Sequence, residues 1–454
     1  MPPRIWFSEK QEMSAVSGNF LGSVCGKKIS IKHLPSGRSS GIFLTGERIG
    51  RFELEGSLIL VEIPDRGVQI FQVDNDEFNA KIEVGAGGLG VSCILHDGRI
   101  FVASDFGIRG EVWSLGSEKP EIIKSIENAK GAGQGVSGCD ILRKSPLNWK
   151  IGEPAYFSVS ENLTLFAVLS RADNRDYIEI IDNRDMRTLN KFEVDSQDAA
   201  GVTFVHGNSL LIWEKCMECR VFVYSLEGEI IAKRDIYQNK LGIKSLSIGR
   251  GMIAIGCFDG SIRLFLSDLT ELTEFKHLNL FNVPTSQMII LREKIQGVKH
   301  PELHLLGAQG LTGKVIYDCE KKNCGEQVFL PGGVGGIGIV VFSNSGRYLA
   351  TRAEDQPTAV IIWDLAVLGI IAVCLHRQAV RSIVWQNSGE DVLAIATGDP
   401  RIFFYDSSGI VREPIDLSGE FEALGILQFK NDRVVVQGRE TVCVVDLTYS
   451  VSGG

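Results

Sequence analysis

Apolar residues along the chain fall in short runs broken by glycine, Asp-Gly and Asn-Ser-Gly turns. The densest example is residues 241–265, LGIKSLSIGRGMIAIGCFDGSIRLF. Ile243, Leu246 and Ile248 precede an Arg250-Gly251 break, Met252 to Cys257 is apolar and partly β-branched, and Asp259-Gly260 turns the chain into Ser261 to Phe265. The pattern reads strand, strand, turn, strand. Asp-Gly suits a two-residue type I′ hairpin turn, whose central residues both need positive φ.

One such unit cannot bury both of its faces, so it must recur. Apolar strands closed by an aromatic or bulky residue end at Phe71, Trp113, Ile181-Asp182, Tyr224, Phe265, Trp363-Asp364, Tyr405-Asp406 and Val445-Asp446, with Lys27 to His33 as a weaker first member. Neighbouring landmarks lie about 40 residues apart, the period of a four-stranded propeller blade. The clearest block holds four strands in order, Ile339 to Ser343, Arg347 to Thr351, Val360 to Leu365 and Gly369 to Leu375, and contains the one literal Trp-Asp dipeptide. Polar alternation is weak because inner strands sit between two neighbouring blades and are apolar on both sides.

The fold expected for residues 1–454 is therefore all-β: a WD40-type β-propeller of seven to nine four-stranded blades in a single ring. Arg4 to Phe7 is expected to pair with the C-terminal strands and complete the last blade, 421–449. Two spacings exceed one period and are read as insertions, 127–152 with its glycine-rich run 129–135, and 278–335 with Pro284, Pro301 and Pro331.

Charge narrows the function classes. A net charge of −9 and a pI near 5.5, without a long basic run, argue against nucleic-acid binding. The opening MPPRIWF lacks the character of a secretory signal, and Asp364 interrupts the longest apolar stretch, so no membrane span is expected and the cytoplasm is the expected compartment. Ten scattered cysteines, several inside apolar runs, read as buried free thiols.

No motif carries catalysis. Cys216 and Cys219 have the spacing of half a zinc site, and Cys319 with Cys324 is a loose second half about 100 residues on. In His300-Pro301-Glu302-Leu303-His304 the proline opposes the helix that a zincin site needs. Residues 85–90, GAGGLG, satisfy a dinucleotide-loop pattern, but a strand follows instead of a helix. Near Gly313-Lys314, Ala308 and Val315 break the P-loop pattern, and Ile108-Arg109-Gly110 falls short of a lipid head-group motif. No catalytic residue, cofactor, metal or small-molecule substrate is assigned. A propeller enzyme or metal-binding propeller is the alternative in another class, and a phosphoinositide-binding adaptor is a second.

The middle of the chain is more specific. Arg171 with Asp176-Tyr177, Asp195-Ser196-Gln197-Asp198 with Gly201, Tyr224 to Gly228, and Tyr237 followed by Leu241 to Ser245 come in that order; later come Leu349 to Arg352, Asp355, Pro357 and Trp363-Asp364. This series resembles the WD-repeat-containing protein eight family of centrosomes and spindle poles, over roughly residues 21–446 and most closely over 171–277. The resemblance implies a non-catalytic WD-repeat scaffold at microtubule-organising centres, binding a coiled-coil microtubule-anchoring partner and a minus-end-directed kinesin, in spindle anchoring and ciliary assembly. Where the family carries Trp-Asp at the end of one second strand, this chain has Trp213-Glu214. An indole there lies near a blade rim, and tryptophan is enriched at binding hot spots, so Trp213 and Glu214 are the expected partner-binding residues. Lys240, Lys244, Arg263, Arg352 and Asp355 are weaker candidates, read as solvated turn charges.

Overall fold

The computed structural model describes residues 4–7, 13–34, 36–64, 66–83, 89–95, 98–104, 109–115, 120–127, 148–150, 157–160, 162, 164–205, 209–214, 220–235, 242–283, 287–295, 315–333, 335–387, 389–408, 410–417, 421–430 and 432–447. Among them every regular element is a strand. Nine antiparallel blades, each built on four strands, follow one another among these residues, at the upper end of the expected range. They comprise residues 13–44, 51–83, 89–127, 157–194, 199–235, 243–276, 337–375, 382–416 and 425–446. The ninth has three strands of its own and is completed by Arg4–Phe7, which runs antiparallel to Val442–Asp446 with Arg4 opposite Asp446 and Phe7 opposite Cys443. The closing strand is where the apolar pattern put it.

Local turn chemistry differs from expectation at one place. Strands Met252–Cys257 and Ser261–Leu266 are joined by three residues, and only Gly260 has positive φ, at 79°. Asp259 instead accepts hydrogen bonds on Oδ1 from the Ser261 backbone N–H at 3.0 Å and the Ser261 hydroxyl at 2.5 Å. A side-chain cap of this kind favours a type I turn ending in a left-handed glycine over type I′. Two consecutive positive-φ residues join Leu165–Ala172 to Arg175–Asp182 instead, at Asp173 (49°) and Asn174 (61°).

The blades group into two compact units. One contains residues 10–243 with 265–270, the other 1–9, 244–264 and 271–454. Within each, central strands are buried on both faces, among them the innermost strand of the fifth blade and the third strand of the seventh. Ala199–Val205 in one unit and Ala359–Asp364 in the other are buried at every position. In the first unit, Ile29, Ile31 and Phe43 of the first blade pack on Phe52, Leu54 and Ile59 of the second, and Leu169, Ile178 and Ile180 of the fourth on Val202, Ile212 and Phe222 of the fifth. In the second unit, Ile262 and Leu264 meet Leu349, Ile361 and Trp363, and Ile362 meets Leu393 and Phe403. Each such side chain contributes about 1.5–3 kcal/mol when taken from water.

One polar chain crosses the apolar contact between the sixth and seventh blades. The indole Nε1–H of Trp363 donates to Thr351 Oγ1 at 2.8 Å, and because a neutral His277 spends its one N–H on Gln356, its Nε2 accepts the Thr351 hydroxyl, also at 2.8 Å. The Nδ1–H of His277 then donates to Gln356 Oε1 at 3.2 Å, and Gln356 Nε2 to Asn279 Oδ1 at 3.1 Å. Phe275 stacks on Trp363 with ring centroids 4.4 Å apart. Complete burial pushes His277 down to about 4, so the imidazole is neutral at physiological pH.

Residues 277–336, between the sixth and seventh blades, hold regular structure of their own. Leu280–Asn282 pairs with Gln327–Phe329, and Gln287–Ile295 with Val315–Asn323. Gln287–Ile295 also lies parallel to the outer strand Gly369–Leu375, so the seventh blade becomes six-stranded. Beyond this seam Glu293 Oε2 accepts the Arg377 N–H at 3.0 Å, and Tyr317 Oη lies 3.1 Å from His376 Nε2.

Two expected outcomes follow. Deletion of residues 1–7 opens the edge of Val442–Asp446 and lowers stability by about 2 kcal/mol or more, at roughly 1 kcal/mol per lost hydrogen bond, read as a lower urea midpoint. A midpoint equal to wild type would show that the closing strand contributes nothing. For His277, the folded-state value lies below the unfolded one, so the unfolded chain binds more protons between about pH 4 and 6.5. Its contribution is complete above about pH 6.5 and fades as pH falls, by about 2 kcal/mol between pH 7 and pH 5. Urea unfolding of the wild type and of His277→Gln at these two pH values should show a smaller pH dependence in the variant.

Candidate interaction site

Arg171, Asp176 and Tyr224 of the central sequence series converge on one connection, residues 195–198, between the fourth and fifth blades. The outer strand Thr188–Val194 ends there and the inner strand Ala199–Val205 begins. Four side chains from neighbouring strands hold its backbone. Asp176, fully buried, accepts on Oδ2 from the Ser196 hydroxyl at 2.6 Å and from the Ala199 N–H at 2.7 Å. Arg171 donates to the Gln197 carbonyl at 2.9 Å and to Asp198 Oδ1 at 3.0 Å. Glu214 Oε1 accepts the Gln197 N–H at 2.9 Å, and Tyr224 Oη accepts the Asp195 N–H at 2.8 Å. Burial pushes the Tyr224 hydroxyl above its ordinary value, which keeps it protonated.

Trp213 and Glu214 are inside this arrangement rather than on its surface. Trp213 is 1% exposed and Glu214 0%. The indole lies over Gly201, where an added Cβ would come within 2.2 Å of the ring, which explains the glycine. Glu214 is held by Arg220 through Nε at 2.7 Å and Nη2 at 2.6 Å, a bidentate pair. The expectation that these two side chains meet a partner directly is corrected to an indirect role: they set the position of 195–198, and the groups left toward solvent are Asp195, Asp198, Arg171 and Lys233. Lys233 binds Asp195 Oδ2 at 2.7 Å and lies 5.2 Å from the Phe222 ring centroid. Arg220 escaped the sequence reading. The available signal was an acidic residue closing an apolar strand with an arginine opening the next, six residues on.

Of the weaker candidates, Lys244, Arg263, Arg352 and Asp355 occupy the other unit, and the three cations among them are less solvated than turn charges usually are. Lys244 binds Glu354 at 2.5 Å with its ammonium 4.5 Å from the Phe258 ring centroid, Arg352 donates to the Val380 carbonyl at 2.6 Å, and Arg263 lies 3.7 Å from Glu274. Asp355 sits against a glycine run. A Cβ at Gly332, where φ is +118°, would come within 2.0 Å of the Asp355 carbonyl oxygen. Lys240, Cys216, Cys219, His300, His304, Ala308, Lys314 and residues 85–88 lie outside the described residues, as does Ile108. A strand, Leu89–Ile94, does follow the glycine-rich run, while Cys319 and Cys324 are exposed free thiols. Among the described residues no group of three or more His, Cys, Asp or Glu could hold a metal ion. Chemically the arrangement pairs its charges with each other and presents a backbone of defined shape.

Replacement of Arg220 by Met leaves Glu214 buried without its counter-ion, which costs about 3 kcal/mol or more. The double variant Arg220→Met/Glu214→Met should recover most of that loss in urea unfolding. A single variant as stable as wild type would show that the pair does not brace the connection.

No family model matches the chain. It is 28% identical to mouse WD repeat-containing protein WRAP73 over 465 residues, covering 96% of this chain and 95% of that protein. The crystal structure of the computationally designed Ika8 protein aligns with a TM-score of 0.48 and 11% identity, over 96% of this chain and 95% of that one. Nine blades of four strands, together with near-full-length similarity to WRAP73, give this chain the blade arrangement of a WD-repeat β-propeller.

Proposed function

We propose that the chain is a non-catalytic scaffold of the centrosome or spindle pole that binds a coiled-coil microtubule-anchoring protein and a minus-end-directed kinesin, and so supports spindle anchoring and ciliary assembly. The observation that carries this reading is the convergence on 195–198: Arg171, Asp176, Ser196, Gln197 and Asp198, which carry the family resemblance, bind one another there. A rigid connection rimmed by Asp195, Asp198, Arg171 and Lys233 can recognise a partner by charge and shape without chemistry. The similarity to WRAP73 supports the same reading. Among the described residues no helix is long and apolar enough to cross a membrane, consistent with a protein partner rather than a membrane span.

The test is localisation with affinity capture from dividing cells, using the tagged wild type and Arg171→Ala/Asp198→Ala. The expected result is wild type at spindle poles, capturing a coiled-coil microtubule-anchoring protein, and a folded variant whose capture falls about tenfold. Recovery of membrane-traffic or metabolic proteins in place of microtubule-anchoring ones would overturn the reading.

A further inference from the structure

The outer strands of the blades differ in one respect that bears on what docks against them. An outer strand presents an unpaired row of backbone N–H and C=O groups, and natural proteins protect such edges with charged side chains or by covering them. Here the outer strands read NDEFNAKIE, PEIIKSIE, TLNKFEV, IIAKRD, ELTEFK and ID in the second to sixth and eighth blades, and RIWF in the ninth. Each carries at least one charge. Only two outer strands carry none, Gly369–Leu375 (GIIAVCL) of the seventh blade and Ser39–Leu44 (SSGIFL) of the first.

The first of these is covered by the chain itself. Gln287–Ile295 lies along it in parallel register, Ile289 opposite Ala372 and Leu291 opposite Cys374, and the strand is buried at six of its seven positions. The second has no strand beyond it in its sheet among the described residues. Its Ile42 and Leu44 are 57% and 71% exposed on one face, whereas Phe43 between them is buried on the other. An uncharged edge with two solvent-facing apolar side chains is an incomplete sheet.

Charge identifies what completes it. Leu44 pairs with Lys28 and Ile42 with Ser30, so Lys28 shares the face of the two apolar residues. From Met13 to Gly46 there is no acidic residue, while Lys27, Lys28, Lys32 and Arg38 are present, in a chain whose net charge is −9. Lys28, Lys32 and Arg38 make no ion pair among the described residues.

We propose that the outer edge of the first blade is a docking site for an extended acidic segment of a partner protein, which adds as a further strand along Ser39–Leu44. The segment places apolar residues over Ile42 and Leu44 and carboxylates toward Lys28, Lys32 and Arg38. This is the arrangement that Gln287–Ile295 already makes on the seventh blade, supplied from outside. The site is separate from 195–198, and its test does not depend on the proposed cellular role.

The probe is a fluorescein-labelled octapeptide, Thr-Glu-Thr-Val-Thr-Val-Thr-Glu, whose alternate positions put valines and glutamates on one face of a strand, titrated against the full chain by anisotropy, with hydrogen–deuterium exchange of the backbone amides of 39–44. Support consists of saturable binding that weakens with added salt, slowed exchange in 39–44, and about tenfold weaker binding both in Ile42→Lys/Leu44→Lys and in Lys28→Glu/Lys32→Glu. Both variants change solvent-facing positions, and an unchanged thermal melt confirms their folding. The proposal is overturned by absence of binding, by equal binding of both variants, or by equal binding of the lysine counterpart of the peptide. It is equally overturned by capture on phosphatidylserine vesicles without peptide binding, or by self-association that the variants abolish.

Discussion

A sheet whose inner strands are apolar on both faces has no stable existence alone. Ala199–Val205 and Ala359–Asp364 leave no side for water, so the blades that hold them must be covered on both faces. Everything else in the molecule answers this demand: the recurrence of one unit, the return of Arg4–Phe7 to complete a blade at the other end of the chain, and the use of an insertion to extend the seventh blade. A rigid frame for connecting loops is the physical result, and such a frame is what a scaffold contributes.

Polar groups drawn into this apolar setting are admitted in complete sets. Trp363, Thr351, His277, Gln356 and Asn279 form one directional chain in which each donor has its acceptor, and neutrality of the imidazole follows from its burial. Glu214 is met by two nitrogens of Arg220. The contrast shows two ways to satisfy a buried polar group. A group that can be neutral is paired by hydrogen bonds alone, and one that stays ionised needs a counter-ion. The second way also fixes backbone, since the carboxylate that receives Arg220 receives Gln197 as well.

Much of the fold was legible because its signals are local. Apolar run length, the spacing of turns and the Trp363-Asp364 block identify strands and blades from neighbouring residues, and Arg4 to Phe7 stood out as a strand lacking a local partner. The candidate site was legible in part. Arg171, Asp176 and Asp195 to Asp198 stood out as a series, but their meeting point did not, because bonded residues there are up to 29 positions apart and belong to different strands. Trp213 was read as a rim residue and is buried, since the end of a strand says nothing about what lies over it; here Gly201 makes room for the ring. The Asp259-Gly260 turn was misread because the length of the connection, three residues rather than two, depends on where pairing stops.

By itself, then, the amino-acid sequence determined that this chain is built of repeated four-stranded blades with a strand from one end completing the other. These properties depend on hydrophobic periodicity and turn chemistry, which act over a few residues. Only the tertiary structure decided which outer strands are covered and which remain open, which charges are paired, and that Trp213 and Glu214 position a connection instead of presenting themselves. Those outcomes depend on contacts between residues far apart in the chain, such as Leu291 with Cys374 and Lys244 with Glu354, and on the burial that packing imposes on each. No spacing rule encodes them.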